Sequence, residues 1–247
     1  MKTVKFLALI ILIWSSQAMA LPPMGPPKAD LEQGQYSVGS DYSFSVMDIE
    51  LSGYGLNVTQ KDVDSNMIFA NLGYGIAPNL EAFVRLGAAN AEFEGFSGDT
   101  EFAYGFGTKA TFAQEGDLTW GGLFQMSWAN SEDTGTLILD GHTITGTQEI
   151  DFYEIQIAVG PTYKMERFSI YGGPFLHIID GKYDWNGTVT GPIVNGSGSF
   201  SLDVKQESEL GLYIGALFDI NENVSCSVEY QQASDAYGIC TGLRWRF

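Results

Sequence analysis

Few side chains in this sequence could carry out catalysis. His142 and His177 are the only histidines, so they are the only imidazoles that could act as a general base near neutral pH. Asp180 follows His177 by three residues, and Asp48 and Glu50 form a second acidic pair. Such residue types can activate water for hydrolysis. A histidine that bonds a neighbouring carboxylate for structural reasons explains His177 as well.

Metal chemistry is restricted by the same composition. Two cysteines and two histidines offer no clustered zinc-site spacing, and we expect no cofactor. Carboxylates are concentrated in four predicted loops: Asp48, Glu50, Asp62, Asp64, Glu92, Glu94, Asp99, Glu132, Asp133, Asp140, Asp180, Asp184, Asp203 and Glu207. These oxygen ligands could share Ca²⁺ or Mg²⁺, although no stretch matches a defined calcium loop. A solvated acidic surface explains them too.

The overall composition narrows the class of protein. The 247 residues include 12 Lys and Arg against 30 Asp and Glu, giving a formal charge of −18. A chain this acidic lacks the basic surface that neutralises phosphates, so we expect no nucleic-acid partner. Because 45% of the residues are apolar and 13% are aromatic, the chain is not disordered.

The N-terminal residues read as a targeting signal. Two lysines precede an apolar run at residues 6–14, and small residues end at Ala20, which predicts a signal peptide over residues 1–20. The run is too short for a transmembrane helix, which needs about 20 apolar residues. Residues 21–34 hold four prolines without an apolar period and predict an extended tether. Residues 35–247 form the folded domain.

The domain consists of segments in which apolar residues occupy every second position, as in strands with two different faces. Many segments reach about eleven residues, which suits a tilted crossing of a bilayer better than the five or six residues of typical strands. We predict ten strands, with eight or twelve as alternatives. The segments are 35–46, 66–77, 79–91, 101–113, 117–129, 150–163, 167–179, 208–220, 223–232 and 237–247.

The predicted connections alternate in length. Tight turns are expected around residues 78–79, 115–117, 164–166 and 221–223. Most of the others are long: 47–65, 92–100, 130–149 and 180–207, with only 233–236 short. This alternation is typical of a transmembrane barrel. The Asp140-Gly141 pair predicts a hairpin turn, so the fifth and sixth strands should project beyond the bilayer.

The last strand carries a family resemblance. It runs from Tyr237 to a terminal Phe247 with Leu243 and Trp245 on its outward face, and it resembles the assembly signal of bacterial outer-membrane β-barrel proteins. Together with glycine-aromatic segments at 73–75 and 171–175, it is similar to small porin-like, outer-membrane protein A-like barrels.

That resemblance implies a closed, antiparallel, up-and-down β-barrel in the outer membrane of a Gram-negative bacterium. The partners that it implies are outer-membrane lipid and the barrel-assembly machinery, which reads the last strand. Both termini, and the tether at residues 21–34, would be periplasmic, with the long loops extracellular. Divalent cations shared between the acidic loops and lipid phosphates are a further possible partner.

The alternation also predicts the residues of the lumen. A ten-strand cylinder is only slightly wider than an eight-strand one that side chains fill, so we expect a packed interior. Inward charges of both signs should pair, because an unpaired buried charge is costly. The predicted polar network comprises Asp41, Arg85, Lys109, Glu154, His177, Glu229, Arg244 and Arg246.

Three functions are compatible with these features. The first is a structural or surface-interaction role through acidic external loops. The alternative is a narrow porin-like channel for small solutes. The third is a hydrolase at the rim, either of the omptin type, whose motifs are absent here, or a lipid hydrolase that uses Ser169 or Ser201 with His177.

Overall fold

The computed structural model describes residues 21–93, 96–139, 142–191, 195–206 and 210–247. Its strands are β1 (Tyr36–Gly53), β2 (Leu56–Ala77), β3 (Leu80–Phe93), β4 (Phe96–Ser97), β5 (Glu101–Glu115), β6 (Leu118–Leu139), β7 (His142–Met165), β8 (Phe168–Thr190), β9 (Gly196–Gln206), β10 (Leu210–Asp219), β11 (Val224–Ala233) and β12 (Ala236–Arg246). The predicted signal peptide, the Asp140-Gly141 turn, and the acidic residues Glu94 and Glu207 lie outside the described residues. Within those ranges, no helix is long and apolar enough to cross a membrane.

The strands form a closed antiparallel barrel, as predicted. β1 pairs with β12 from Ser37 opposite Arg246 to Met47 opposite Ala236, so the first and last strands close the ring. Among the described residues, ten strands complete this ring in the order β1, β2, β3, β5, β6, β7, β8, β10, β11 and β12. β9 is an eleventh member at one end, between β8 and β1. Closure leaves the ring without free strand edges, so its backbone groups are paired internally.

Short turns mark one end of the barrel, which we call the turn end. They join β2 to β3, β5 to β6, β7 to β8 and β10 to β11, at the four positions that the sequence predicts. Gly116 in the second turn has a φ of 58°, a left-handed conformation that glycine adopts without strain. The opposite end is the loop end.

The predicted loops at the loop end are largely strand. β1 and β2 continue beyond the ring to a two-residue turn at Tyr54-Gly55. β6 and β7 project as predicted, while β8 and β9 form another extended pair. Long irregular loops would leave backbone groups without partners, and pairing satisfies them. We call this part the projection; it comprises residues 47–63, 130–139, 142–152, 179–190 and 196–206.

The side chains of the ring have an apolar outer face. Large apolar residues are exposed around it, and they include Val38, Leu72, Val84, Leu86, Phe106, Ile157, Ile170, Leu212, Val228, Ile239 and Leu243. Exposed aromatic residues lie near the turn end: Tyr36, Trp120, Phe168, Trp245 and Phe247. Such a band with an aromatic border is the surface that lipid requires.

The projection has the opposite arrangement. Its inward side chains are apolar and almost fully buried: Met47, Ile49, Leu51, Val63, Ile150, Tyr183, Trp185, Leu202 and Val204. Its outward face carries polar and charged residues such as Asp48 and Glu50. The projection is thus built like a water-exposed β-structure with an apolar core.

Residues 21–34 do not form the predicted tether: residues 21–31 lie inside the barrel, and residues 32–34 are exposed where the segment approaches β1. We call this segment the plug. Leu21, Met24 and Leu31 in it are at most 2% exposed. The four prolines explain how an irregular segment can be buried, because proline has no backbone N–H that needs a partner. The backbone N–H groups of Leu21, Met24, Gly25, Ala29 and Asp30 donate to side chains of the barrel wall.

Candidate functional site

The candidate site is the part of the lumen nearer the turn end, and the plug lies at its centre. On one wall, the Glu229 carboxylate accepts hydrogen bonds from the backbone N–H groups of Met24 and Gly25, at 2.9 and 2.8 Å. The Gln231 amide donates to the carbonyl of Pro22 at 2.9 Å and to Glu229 at 2.8 Å. β11 therefore fixes the plug through side-chain bonds to its backbone.

The opposite wall holds the same segment. Arg85 Nη2 and Gln125 Nε2 donate to the Pro23 carbonyl at 3.1 and 3.3 Å. Nearer the turn end, the Asp30 N–H donates to Glu81 Oε2 at 3.0 Å. Because both walls bond the plug, it spans the lumen.

An ion-pair cluster closes the lumen near the turn end. Arg244 Nη2 lies 2.6 Å from Glu81 Oε1, and its Nη1 lies 3.9 Å from Asp30 Oδ2. Lys28 also pairs with Asp30. Burial alone would raise the pKa of Asp30, but the charges of Lys28 and Arg244 outweigh it and hold this pKa below its ordinary value. Arg246 lies nearer the rim, 3.3 Å from Asp219.

Arg85 occupies a second polar cluster. Its guanidinium lies over the rings of Phe69 and Phe83, 5.3 and 5.1 Å from their centroids. Asp41 Oδ2 is 3.9 Å from Arg85 Nη2 and accepts a hydrogen bond from Asn71 Nδ2 at 2.5 Å. At these distances the guanidinium makes a cation–π contact with each ring.

His177 pairs with Glu154 and not with Asp180, the acid that the sequence suggests. Its Nε2 lies 3.2 Å from Glu154 Oε2, and the two side chains are 0% and 1% exposed. Asp180 is three residues along β8, so the alternation of a strand points it to the other face. The His177–Asp180 pair is therefore not assembled, and the imidazole is sealed from substrate.

The two candidate serines are far from His177. Ser169 is eight residues away on the same strand, which corresponds to about 26 Å. Ser201 on β9 pairs with Asp184, seven residues beyond His177, or about 23 Å away. Neither serine can form a nucleophile–base pair with this histidine.

Five of the eight predicted lumen residues lie in three groups, and the other three lie apart from them. Arg244 lies in the ion-pair cluster, Asp41 and Arg85 in the second cluster, and Glu154 with His177 in a buried pair. Glu229 binds the plug, Lys109 is buried beside the Phe83 ring, and Arg246 is at the rim. The partners that the sequence missed are Lys28 and Asp30, since a proline-rich segment without periodicity gives no sign of a buried position.

A pocket of about 110 Å³ remains beside the plug, lined by residues of β1, β2, β3, β5, β11 and β12. Ser37, Gly39, Ser225, Ser227 and Gly242 line the wall side, where small residues leave room. The pocket is therefore a gap beside the plug, which both walls still bond.

Acidic residues of the projection form a row across three neighbouring strands. Glu132, Glu149 and Asp184 are direct neighbours across β6, β7 and β8. Burial raises the pKa of Glu149, and the charges of Asp151, Glu132 and Asp184 raise it further. Among the residues that the structure describes, no three His, Cys, Asp or Glu side chains are grouped so as to hold a metal ion.

The final strand closes the ring with its terminal residue. The Phe247 N–H donates to the Tyr36 carbonyl, and the Tyr36 N–H donates to the Phe247 carbonyl, both at 3.0 Å. Tyr237, Leu243 and Trp245 are exposed on the outer apolar face. Their role as an assembly signal stays a prediction.

The chain was compared with known proteins. The family described as "Outer membrane protein beta-barrel domain" matches residues 79–242. Among curated proteins, none matches the chain significantly. Similar solved structures include the translocator domain of autotransporter NalP from Neisseria meningitidis, with 11% identity, a TM-score of 0.49, and coverage of 88% of this chain and 90% of that one.

Two further structures are similar to the chain. The outer membrane protease OmpT from Escherichia coli has 10% identity and a TM-score of 0.47, with 92% of this chain and 99% of that chain covered. The attachment invasion locus protein Ail of Yersinia pestis has 17% identity and a TM-score of 0.27, with 87% and 99% covered.

Proposed function

The chain belongs to the outer-membrane β-barrel domain family, and from that premise we propose that it is a closed, non-conducting barrel with a structural or surface-interaction role. The observation that carries this proposal is the plug at residues 21–34, which bonds both walls of the lumen. A continuous water-filled path would require its displacement.

A second obstruction supports the same proposal. Beyond the plug, the inward side chains of the projection form an apolar cluster in which Ile49, Tyr183 and Val204 are 0% exposed. Water and ions do not enter a well-packed apolar interior readily. Solute passage would therefore have to disturb two different layers, which argues against a channel. A narrow channel for small solutes is the alternative function.

The orientation is part of the proposal. The apolar band of the ring faces lipid, the turn end with the C-terminal Phe247 faces the periplasm, and the projection is extracellular. Leu21, which follows the predicted cleavage site, lies inside the lumen, where its N–H donates to Ser45, so the predicted periplasmic N-terminus is not retained in this proposal. The strand that ends at Phe247 would be the one that the assembly machinery reads. Hydrolysis is not supported, because His177 is buried with Glu154 and lies far from both candidate serines.

The surface role rests on the construction of the projection. Paired strands hold its outward residues in fixed positions, so it can present a defined surface. The row of Glu132, Glu149 and Asp184 makes part of this surface acidic. We propose that contacts with lipid-associated divalent cations or basic partner surfaces take place there.

Conductance tests the closed state. Mature protein in planar bilayers should give no discrete current steps at either polarity, and protease protection of the strands in the same lipid should verify insertion. A variant that lacks residues 21–31 and has Ile49→Gly should conduct, because both obstructions are weakened. Regular current steps from the unmodified protein would support the channel instead.

Labelling tests the orientation. Thr136→Cys in the projection should react with a membrane-impermeant maleimide on intact cells, whereas Glu115→Cys at the turn end should react only after permeabilisation. The parental chain, whose Cys240 is buried and whose Cys226 is half-buried, provides the background. The reverse pattern would contradict the proposed orientation.

A further inference from the structure

The inner end of the plug lies deep in the lumen. Leu21 is 0% exposed, and its N–H donates to Ser45 Oγ at 3.0 Å. Ser45 pairs with Gly238, and Met47, the next inward residue of β1, already belongs to the apolar core of the projection. From Leu21 the plug runs to the exposed residues 32–34 near the turn end. Leu21 therefore lies at the border between the polar lumen and the projection core.

Three strands hold Leu21 in this position. Besides the bond to Ser45 on β1, the Cys240 thiol on β12 donates to the Leu21 carbonyl at 3.5 Å. On β11, Gln231 donates to the carbonyl of the following residue at 2.9 Å and to Cys240 Sγ at 3.7 Å. Gly238 leaves room for the leucine side chain, because a Cβ at this glycine would crowd Leu21 Cβ at 3.1 Å. The wall is thus fitted to this residue.

A chain that continued before Leu21 has no path inside the barrel while the plug is seated. Next to Leu21 lie Met47, Ile49 and Tyr183 of the projection core, each at most 1% exposed. A packed apolar interior does not admit additional chain without losing its own contacts. The pocket of about 110 Å³ beside the plug could hold a small solute, but not a further segment of 20 residues.

Proteolytic processing would remove this conflict. Hydrolysis of the Ala20–Leu21 peptide bond, at the end of the predicted signal peptide, consumes one water and leaves a carboxylate on Ala20 and an ammonium on Leu21. We propose that this ammonium is the inner anchor of the plug and that the plug seats only in the processed chain. Ser45 Oγ, 3.0 Å from this nitrogen, accepts one of its three N–H donors.

The surroundings of Leu21 suit a positive charge. Glu229 on the same wall bonds the N–H groups three and four residues further along the plug, at 2.9 and 2.8 Å. This carboxylate is 3% exposed and makes no ion pair with a side chain in the described part of the chain. A buried carboxylate is costly without a counter-charge, so a cation at Leu21 would stabilise it.

A second acceptor lies close to the anchor. Ser43, the inward residue before Ser45 on β1, is 0% exposed, and its Oγ has no hydrogen-bond partner. It stands opposite Cys240, whose thiol contacts the Leu21 carbonyl. A backbone amide offers Ser45 its single N–H, whereas an ammonium has further donors for a neighbouring hydroxyl.

The inference deepens the closed-barrel proposal and rests on the plug that this proposal contains. It adds that closure follows processing, so a precursor that retains residues 1–20 would carry an unseated plug. Hydrogen exchange and amine reactivity report on the plug and not on ion current. Failure of this inference is therefore distinguishable from failure of the closed barrel, which conductance tests.

Hydrogen exchange of the Met24 and Gly25 amides tests the requirement for processing. Two chains are refolded in detergent micelles, one that begins at Leu21 and one that retains residues 17–20. Both amides should exchange at least tenfold faster in the longer chain, while the ring strands stay protected in each. The same four residues inserted after Glu115, in an exposed turn, should leave the two amides protected. Equal protection in the longer and the mature chains would overturn the requirement.

Reactivity of the terminal amine tests the anchor. Protein isolated from outer membranes should begin at Leu21, and its α-amino group should be acetylated by acetic anhydride at least tenfold more slowly than that of the longer chain. Lys164, whose side chain is 60% exposed, should react equally in both chains, and peptide mass spectrometry distinguishes the products. A different first residue, or equal rates for the two terminal amines, would overturn the anchor.

A pair of variants tests the contact with β1. Ser45→Val removes the acceptor without changing a charge and should speed acetylation of the Leu21 amine at least fivefold. Ser40→Val, on the exposed outer face of the same strand, should leave the rate unchanged. An unchanged rate in Ser45→Val would overturn the role of Ser45. If Ser45→Val does not refold, the rates in the mature and the longer chains decide the proposal alone.

Discussion

Strand β1 carries Ser37, Gly39, Asp41, Ser43 and Ser45 on its inward face within the ring, and Met47, Ile49 and Leu51 on the same face within the projection. The outward face changes in the opposite sense, from apolar and aromatic residues to acidic ones. β7 and β8 show the same exchange. The period of two continues through both regions while the chemistry of each face inverts.

This inversion teaches that the surrounding solvent, not the backbone, decides which face is apolar. In the ring, the apolar face contacts lipid and the polar face lines the enclosed lumen. In the projection, the polar face contacts water and the apolar face forms a core. The level at which the faces exchange, near Met47 on β1, is therefore the expected boundary of the hydrocarbon.

The strongest test places a charge in the projection core. Ile49→Asp buries an unpaired carboxylate and should destabilise the projection by roughly 3–5 kcal/mol. Limited proteolysis should then cleave the projection while the ring stays protected. Asn57→Asp, at an exposed position of β2 opposite Ser52, should have almost no effect. A projection that stays resistant in Ile49→Asp would contradict the apolar core.

A second test compares the two outer faces. Leu86→Arg, near the middle of the apolar band, should destabilise the barrel by about 2–4 kcal/mol because it places a charge in lipid. Ile138→Arg, on the outer face of the projection, should be nearly neutral. Urea unfolding in lipid vesicles measures both. Similar losses at the two positions would show that the boundary lies beyond Ile138.

A third test loosens the plug from the polar lumen. Glu229→Gln keeps the size of the side chain but removes the charge that two backbone N–H groups bond, so the plug should lose about 1–2 kcal/mol of local stability. Hydrogen exchange of the Met24 and Gly25 amides should accelerate about tenfold. Glu32→Gln, at an exposed position, is the control. Unchanged hydrogen exchange of the two amides in Glu229→Gln would contradict the anchoring role of Glu229.

The smallest effect concerns the acidic row of the projection. Because the folded pKa of Glu149 is raised above the ordinary 4.5, its ionised form disfavours folding. The penalty is absent below pH 4.5 and is complete once the pH exceeds the folded pKa, so stability should fall as pH rises through that window.

Removal of this charge should abolish that part of the pH dependence. Glu149→Gln should stabilise the projection at pH 7 by about half a kcal/mol, the size expected for like charges opposite each other on an exposed sheet surface. Thermal unfolding at pH 5 and pH 7 measures the difference. Glu115→Gln at the turn end is the control, and a stabilisation equal at both pH values would argue against repulsion.

The inversion also explains which features the sequence could predict. The barrel class and the four tight turns follow from the period of two and from turn residues, which are local signals. The residues at 47–65 were expected as a loop, because the exchange of faces near Met47 interrupts the apolar pattern even though the strand continues. A search for alternation of inverted phase would have found the projection.

The residues of the lumen wall could be predicted from the sequence, but the plug that they bond could not. The alternation within each strand shows which of its residues face inward, so it identifies wall residues such as Arg85 and Glu229. It cannot identify what they bond, since the plug has no period and its contacts are set by the three-dimensional enclosure. The partner of His177 is Glu154 on the neighbouring strand β7 and not Asp180, because Asp180 points to the other face of β8.

The anchoring of the plug also sets an order of events during folding. Met24 and Gly25 bond a residue 205 and 204 positions later in the chain, and the strand that follows the plug pairs with the last strand. Contacts between such distant positions form late, because the intervening loop must close first. We therefore expect the closure of the barrel between β1 and β12 and the anchoring of the plug on β11 to be late events in folding.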